Sequence, residues 1–257
     1  MNILDRIIAH KRVEIAERKR TCPVPGGDTF VRSDFRPLDR ALRRPDSISV
    51  IAEFKKASPS KGIIREDVEP VEVAHIYESY GASAISVLTD EHFFQGHADY
   101  LTAIRDHIRL PVLRKDFIIE DYQIREATVM GADAILLIVA VLTVTELVSL
   151  QSTAQAYGLQ CLVEVHDKKE LDRALEARAH IIGINNRDLT NFNVDLHTSL
   201  SLKSAIPDEI VTISESGVHT REDVLTLQDA GFDAILVGES LMRSDDIGAK
   251  LNGLLGK

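Results

Sequence analysis

Tryptophan is absent and aromatic residues make up only 5% of the 257-residue chain, which leaves little from which to build base-stacking platforms. Positive charge is in deficit, with 30 Lys+Arg against 40 Asp+Glu and a formal net charge of −10. That balance argues against a general nucleic-acid or anionic-membrane surface, although an acidic protein can still hold a local basic pocket. The two cysteines, Cys22 and Cys161, allow at most one disulfide and no framework. Cys161 lies in the run Cys161-Leu162-Val163-Glu164-Val165 and reads as a small core hydrophobe. The longest apolar run, 134–142, is too short to span a bilayer. Residues 1–6 lack the apolar core of a signal peptide, so a soluble cytoplasmic protein is expected. No G-x-G-x-x-G turn follows any candidate strand and no G-x-x-x-x-G-K-[ST] loop exists. His92 and His97 lack an H-E-x-x-H spacing or a cysteine partner, so a metal site has no support. Ser216 lacks the G-x-S-x-G context, and His219 reads as helix-start surface.

Apolar residues (44%) and charged residues (27%) fit a globular domain with a sizeable core. Ile3, Leu4, Ile7, Ile8 and Ile15 recur at helical spacing, predicting an amphipathic helix that ends near Arg20. Pro23, Pro25, Gly26 and Gly27 break it, and 39–44 form a second short helix stopped by Pro45. From Ser49 onward a unit of strand, loop and amphipathic helix recurs. Strands are expected at 49–54, 83–88, 111–115, 133–138, 160–165, 181–184, 210–214 and 233–237. Helices fall near 70–80, 98–107, 120–129, 144–157, 168–177, 195–204 and 219–229, with one after 240. Three strands open alike, as Gly81-Ala82-Ser83-Ala84-Ile85, Gly131-Ala132-Asp133-Ala134-Ile135 and Gly231-Phe232-Asp233-Ala234-Ile235. Each places Gly at a helix C-terminus before an apolar strand. Eight such units predict an α/β fold, a single (β/α)8 TIM barrel over 49–257, with 1–48 as an N-terminal helical extension packed on it. A doubly wound sheet is the alternative, but it would usually show a Gly-rich first turn.

Function in such barrels sits at the C-terminal strand ends. Period-2 alternation puts Glu53 and Lys55 on the face of Ile51, Lys115 on that of Leu113, and Glu164 on that of Leu162. The sixth strand runs into Asn185-Asn186-Arg187, the seventh ends Ser214-Glu215-Ser216-Gly217, and the eighth ends Val237-Gly238-Glu239-Ser240. Alone, Glu53 and Lys55 can also be read as an ordinary ion pair. Polar strand ends converging on one rim point instead to a pocket in which burial and neighbouring carboxylates tune lysines for acid catalysis. The small residues at 216–217 and 238–240 can be simple turns. Taken together, at the last two strands, they suggest a phosphate site of backbone N–H groups. The loop 56–64 is expected to close over the substrate.

Six ordered motifs then carry a resemblance over nearly the whole chain. They are Ile51-Ala52-Glu53-Phe54-Lys55-Lys56-Ala57-Ser58-Pro59-Ser60, Leu113-Arg114-Lys115-Asp116-Phe117-Ile118, Leu162-Val163-Glu164-Val165-His166, Ile184-Asn185-Asn186-Arg187-Asp188-Leu189, Ser214-Glu215-Ser216-Gly217 and Val237-Gly238-Glu239-Ser240-Leu241-Met242. This set resembles the indole-3-glycerol phosphate synthase family of tryptophan biosynthesis. The resemblance implies conversion of 1-(2-carboxyphenylamino)-1-deoxyribulose 5-phosphate to indole-3-glycerol phosphate, with loss of CO2 and water and no cofactor or metal. It implies Lys115 as general acid in ring closure, Glu164 as base and Lys55 as acid in dehydration, with the division of steps between the lysines open. Glu53 would hold the lysines charged, Asn185 and Glu215 would be hydrogen-bonding supports, and Arg187 would meet the substrate carboxylate. Phosphate would rest on Ser58, Ser216, Gly217, Gly238, Glu239 and Ser240, with the Glu239 side chain pointing away. Phe94, Phe117 and Leu136 would line the aromatic pocket, though each reads equally as core. The implied partner is a phosphorylated small molecule, not nucleic acid or membrane; the oligomeric state is open, a monomer included. Two other readings stand beside it: a phosphate-binding barrel isomerase of a phosphoribosyl amine, and a non-catalytic metabolite-binding or assembly subunit with 1–20 as its docking helix.

Overall fold

The structure is a computed structural model that describes residues 2–24, 32–45, 47–188 and 192–257. Eight parallel strands form a closed barrel: β1 (Ser49–Phe54), β2 (Ala84–Leu88), β3 (Val112–Lys115), β4 (Ala134–Ile138), β5 (Gln160–Val165), β6 (Ile181–Asn185), β7 (Val211–Glu215) and β8 (Ala234–Val237). β1 pairs with both β2 and β8, which closes the sheet and leaves it no free edge. Helices Pro70–Ser79, Ala98–His107, Asp121–Met130, Val144–Ala156, Lys168–Glu176, His197–Lys203 and Arg221–Asp229 connect successive strands, and Ile247–Leu255 ends the chain. The expected barrel is therefore present, with strand ends within about a residue of the periodic pattern.

Alternation divides each strand between two layers. Val50, Ala52, Phe54, Val87 and Val163 face outward into the helix layer. Ile51, Leu113, Leu162 and Ile213 face the barrel interior, together with Ala84, Ala134 and Ala234. Those three alanines come from the repeated Gly-Xaa-Xaa-Ala strand openings, whose glycines take φ of 95°, 90° and 84°, a region costly for side-chain-bearing residues. Packed in the same interior cluster are Leu38 and Leu42, from a short helix α2 (Leu38–Leu42). The backbone N–H groups of Leu38 and Asp39 donate to Gln160 Oε1 at the start of β5. α2 thus plugs the N-terminal end of the barrel, and its opposite end carries the polar residues.

The extension begins with α1 (Ile3–Thr21), capped by a reciprocal pair in which Asn2 accepts from the Asp5 N–H and Asp5 accepts from that of Asn2. Its buried residues are Ile7, Lys11 and Ile15. Lys11 is 1% exposed, and its ammonium lies 2.9 Å from Asp90, 3.0 Å from Asp116 and 2.9 Å from Glu14. Asp90 and Asp116 follow β2 and β3, so α1 is tied by charge to the functional end of the barrel. Among the described residues four short pieces were not anticipated: a hairpin pairing Ala57–Ser58 with Gly62–Ile63, a 3-10 turn at Val139–Val141, and four-residue helices at Glu91–Phe94 and Glu239–Met242.

Candidate active site

The inward faces of the strands change from apolar to ionic at one depth. Glu53 continues the face of Ile51, Lys115 that of Leu113, Glu164 that of Leu162 and Glu215 that of Ile213. Glu53, Glu164 and Glu215 are all at most 3% exposed. The Lys115 ammonium lies 2.9 Å from Glu215 Oε2 and 3.3 Å from Glu164 Oε2. Across the barrel, Lys55 Nζ lies 2.6 Å from Glu53 Oε1. Asn185 donates to Glu164 Oε1 at 3.3 Å, and His166 Nε2 lies 3.3 Å from the same oxygen. His166 Nδ1 is 2.9 Å from Glu170.

Burial penalises every one of these charges, and the partners decide which survive. Burial would lower the Lys115 pKa, but Glu215, Glu164 and Glu53 together push it above the ordinary lysine value. For Glu53, burial is overcome by Lys55 and then Lys115, which hold it below the usual carboxylate range. Glu164 is likewise held down against burial by Lys115, His166 and Asn185. Among the described residues Glu215 has only Lys115 as a cationic partner, and burial together with Glu164 and Glu53 pushes it up. Of the two carboxylates that share Lys115, Glu164 stays ionised and Glu215 protonates more readily. His166 is raised to about 10, the Glu164 and Glu170 carboxylates outweighing its burial.

All sixteen residues singled out in the sequence line two adjoining cavities. The inner one, about 140 Å³, is lined by Glu53, Lys55, Ser58, Phe94, Lys115, Phe117, Leu136, Glu164, Asn185, Arg187, Glu215, Ser216 and Glu239. The outer one, about 340 Å³, shares Glu53, Lys55, Arg187, Ser216 and Glu239 and adds Gly217, Gly238 and Ser240. The Phe94 and Phe117 rings face each other at 6.0 Å between centroids on one wall, while Leu136 also belongs to the interior core. Ser216 and Gly217 take φ of 65° and 87°, and Gly238 caps the four-residue helix Glu239–Met242.

Glu239 departs from expectation. Its carboxylate is not turned away from the site but lies 3.5 Å from Arg187, 3.3 Å from Arg243 and 3.8 Å from Lys61 of the hairpin turn. Three cations attract it to the mouth, and Arg187 accordingly faces Glu239 in this state. Sequence reasoning also missed His166, although it follows Glu164 by two residues and so shares its face. It missed Ile3, Leu4 and Ile7, which bring the first turns of α1 to the inner cavity. No local pattern shows where a leading helix docks.

Comparison with known proteins follows the same line. The sequence pattern described as "Indole-3-glycerol phosphate synthase" matches residues 4–254. Indole-3-glycerol phosphate synthase of Chloroherpeton thalassium is 48% identical over 254 residues, covering 97% of this chain and 98% of that protein. That of Acidithiobacillus ferrooxidans is 50% identical over 258 residues, covering 98% of each. Among solved structures, 3-hexulose-6-phosphate synthase from Salmonella typhimurium superposes with a TM-score of 0.66 at 13% identity, over 81% of this chain and 97% of that one. Tryptophan synthase subunit alpha from Legionella pneumophila gives 0.62 at 14% identity, over 85% and 97%. These two likenesses concern the barrel alone.

Proposed function

The chain belongs to the indole-3-glycerol phosphate synthase family, carboxy-lyases of tryptophan biosynthesis, and on that premise we propose how its own residues close, decarboxylate and dehydrate the substrate. The observation that carries the reading is the partly buried Lys115 ammonium between Glu164 and Glu215, facing the Glu53–Lys55 pair across one cavity. The ring carbon that bears the carboxylate attacks the substrate ketone, forming the carbon–carbon bond. Lys115 gives its proton to the ketone oxygen as negative charge develops there. CO2 departs and leaves its bonding electrons to restore the aromatic ring. Glu164 then removes a proton from the methylene beside nitrogen, Lys55 protonates the new hydroxyl, and water leaves to give the indole. Glu53 orients Lys55, and Asn185 holds Glu164.

The remaining residues bind. Phe94, Phe117 and Leu136 take the aromatic ring. Arg187 takes the substrate carboxylate, which must displace Glu239 from it. The N–H groups of Gly217, Gly238, Glu239 and Ser240 take the phosphate with the Ser58 and Ser216 hydroxyls, the hairpin that bears Ser58 closing over it. A phosphorylated biosynthetic intermediate fits work in the cytoplasm, and one chain supplies every residue named, so a monomer suffices.

The test is turnover of the carboxyphenylamino substrate by the purified protein, with CO2 and indole fluorescence followed together. One CO2 per indole is expected. Isomerisation with the carboxylate retained would overturn the reading in favour of a phosphoribosyl-amine isomerase, and tight binding without turnover would favour a binding subunit.

His166 supplies a second check with a defined sign. As a cation beside Glu164 it lowers the pKa of that carboxylate, so His166→Asn should raise it. The acid limb of the kcat/KM profile should then move to higher pH by about one unit. An unmoved limb would remove His166 from any influence on the base.

A further inference from the structure

Two glycines in the barrel wall are not explained by a left-handed backbone. Gly183 lies in β6 and Gly238 just after β8, and neither takes a left-handed φ. The strand backbone of Gly183 is open to any L-residue, while Gly238, with φ of −124° and ψ of −68°, lies between the usual regions. The constraint lies in what a side chain would meet. A Cβ at Gly183 would stand 2.1 Å from Glu215 Oε1 and 3.2 Å from Glu215 Cδ. A Cβ at Gly238 would stand 2.4 Å from Glu53 Oε1 and 3.0 Å from both Glu53 Cβ and Cδ. Each partner belongs to the adjacent strand: β7 pairs with β6, and β1 with β8.

The register shows how Glu215 uses the space. Its backbone lies opposite Asn185, and Gly183 lies opposite Ile213, one inward position deeper in the barrel. Glu215 therefore folds its carboxyl group back over the glycine instead of extending it into the mouth. From there Oε2 reaches the Lys115 ammonium at 2.9 Å, while Oε1 fills the glycine space and makes no hydrogen bond among the described residues. A buried carboxyl oxygen without a donor is unfavourable, so this posture needs a cavity shaped for it.

We propose that Gly183 is a positioning residue for the acid: the side chain it lacks is the niche that holds Glu215 against Lys115, and Gly238 forms the matching niche for Glu53 beside Lys55. The inference rests on Lys115 being the proton donor of the proposed reaction. Gly183 is the cleaner of the two to test, because Gly238 also stands in the loop assigned to phosphate. An alanine at Gly183 collides chiefly with the far end of a flexible side chain, so the barrel survives while Glu215 swings away. Leu162 Cδ1, 3.0 Å from the added carbon, needs to yield by only a few tenths of an ångström. Lys115 then loses one of its two close carboxylates, and its ammonium is no longer fixed.

The experiment is a double-mutant cycle of Gly183→Ala and Glu215→Ala, read by indole fluorescence. Gly183→Ala alone should lower kcat by about 10- to 100-fold, the scale of a displaced catalytic group, with KM changed by less than about threefold. In the Glu215→Ala protein the niche is vacant, and adding Gly183→Ala should change kcat by less than about twofold. An unaffected kcat in Gly183→Ala, or an equal loss in both backgrounds, would overturn the proposal, since a purely structural glycine is indifferent to Glu215. Should Gly183→Ala prove too unstable to assay, the same cycle is read by thermal unfolding, where Glu215→Ala must restore most of the lost Tm. Absence of that rescue would equally overturn it. If the wild type itself fails to turn the substrate over, the proposed reaction falls, while the Tm cycle still decides the niche.

Discussion

Lys115→Met is expected to abolish indole formation, lowering kcat by about 10³-fold or more, within the range seen when a general acid is removed. Methionine keeps most of the volume of the side chain and removes only its proton and charge. The cost to the fold is limited by Glu215. Burial and its neighbours already push this carboxyl up, so it takes a proton when the ammonium goes, and Glu164 keeps His166 and Asn185. KM should therefore change little, because the aromatic wall and the phosphate loops are untouched. The comparison with Lys55→Met separates the two lysines. If Lys115 serves ring closure, its loss suppresses CO2 and indole together. If Lys55 serves dehydration, its loss should allow a burst of CO2 before indole fluorescence appears, because decarboxylation precedes loss of water. A Lys115→Met protein that releases CO2 at the wild-type rate would end the assignment. A Lys55→Met protein in which CO2 and indole decline in step would move Lys55 to the earlier step.

What the sequence made legible follows from period and position. Alternation placed Glu53, Lys115 and Glu164 each on the face of an apolar neighbour, Glu215 stood at the end of the seventh strand, and in a parallel barrel the strand ends must converge, so local pattern plus one topological rule located the pocket. What stayed hidden depends on distances between segments remote in sequence. Glu239 sits in a turn whose backbone looked suited to phosphate, but its side chain answers to Arg187, Lys61 and Arg243, two of them far off in the chain. Gly238 read as a turn residue, yet the structure adds a second constraint, the Glu53 carboxylate packed against it. Gly183 gave no signal at all, since a glycine within a strand announces only that something approaches closely, not what. His166 was visible as the end of a motif but had no role until Glu170, one helical turn further on, closed around its other nitrogen. The buried lysine of α1 is the plainest case: its spacing fits the apolar face of an amphipathic helix, and only docking reveals its partners.

Removing that lysine is expected to have a large effect on stability. Lys11→Met should destabilise the protein by about 3–5 kcal/mol, because removing one member of a buried ion group strands the others in low dielectric. For a chain of this size the loss corresponds to a fall in Tm of about 10 °C. Asp90 and Asp116 are both at most 2% exposed, and Asp116 would retain Arg114, at 3.1 Å, Thr89, at 2.7 Å, and the Phe117 N–H, at 2.8 Å, but no ammonium. The pH dependence has a defined sign. Burial would raise the Asp116 pKa, but Lys11 and then Arg114 hold it below its ordinary 3.8. A carboxylate depressed on folding stabilises the native state above its unfolded pKa, and that contribution is lost as pH falls through the folded value. The Tm gap between wild type and Lys11→Met should thus be full at pH 7 and narrow as pH drops below about 4. Lys11 itself is raised above its ordinary 10.5, burial being outweighed by Asp116, Asp90 and Glu14. Its own contribution is accordingly complete below that value and fades only at still higher pH, so the gap persists through the alkaline range. Because α1 also lines the inner cavity through Ile3, Leu4 and Ile7, its loosening should raise KM and expose the helix to protease before the barrel unfolds. A variant with unchanged Tm and unchanged cleavage would show that the Lys11 ion group contributes nothing net to docking, which would then rest on Ile7, Ile15 and the outer contacts such as Arg18 with Glu126 at 2.9 Å.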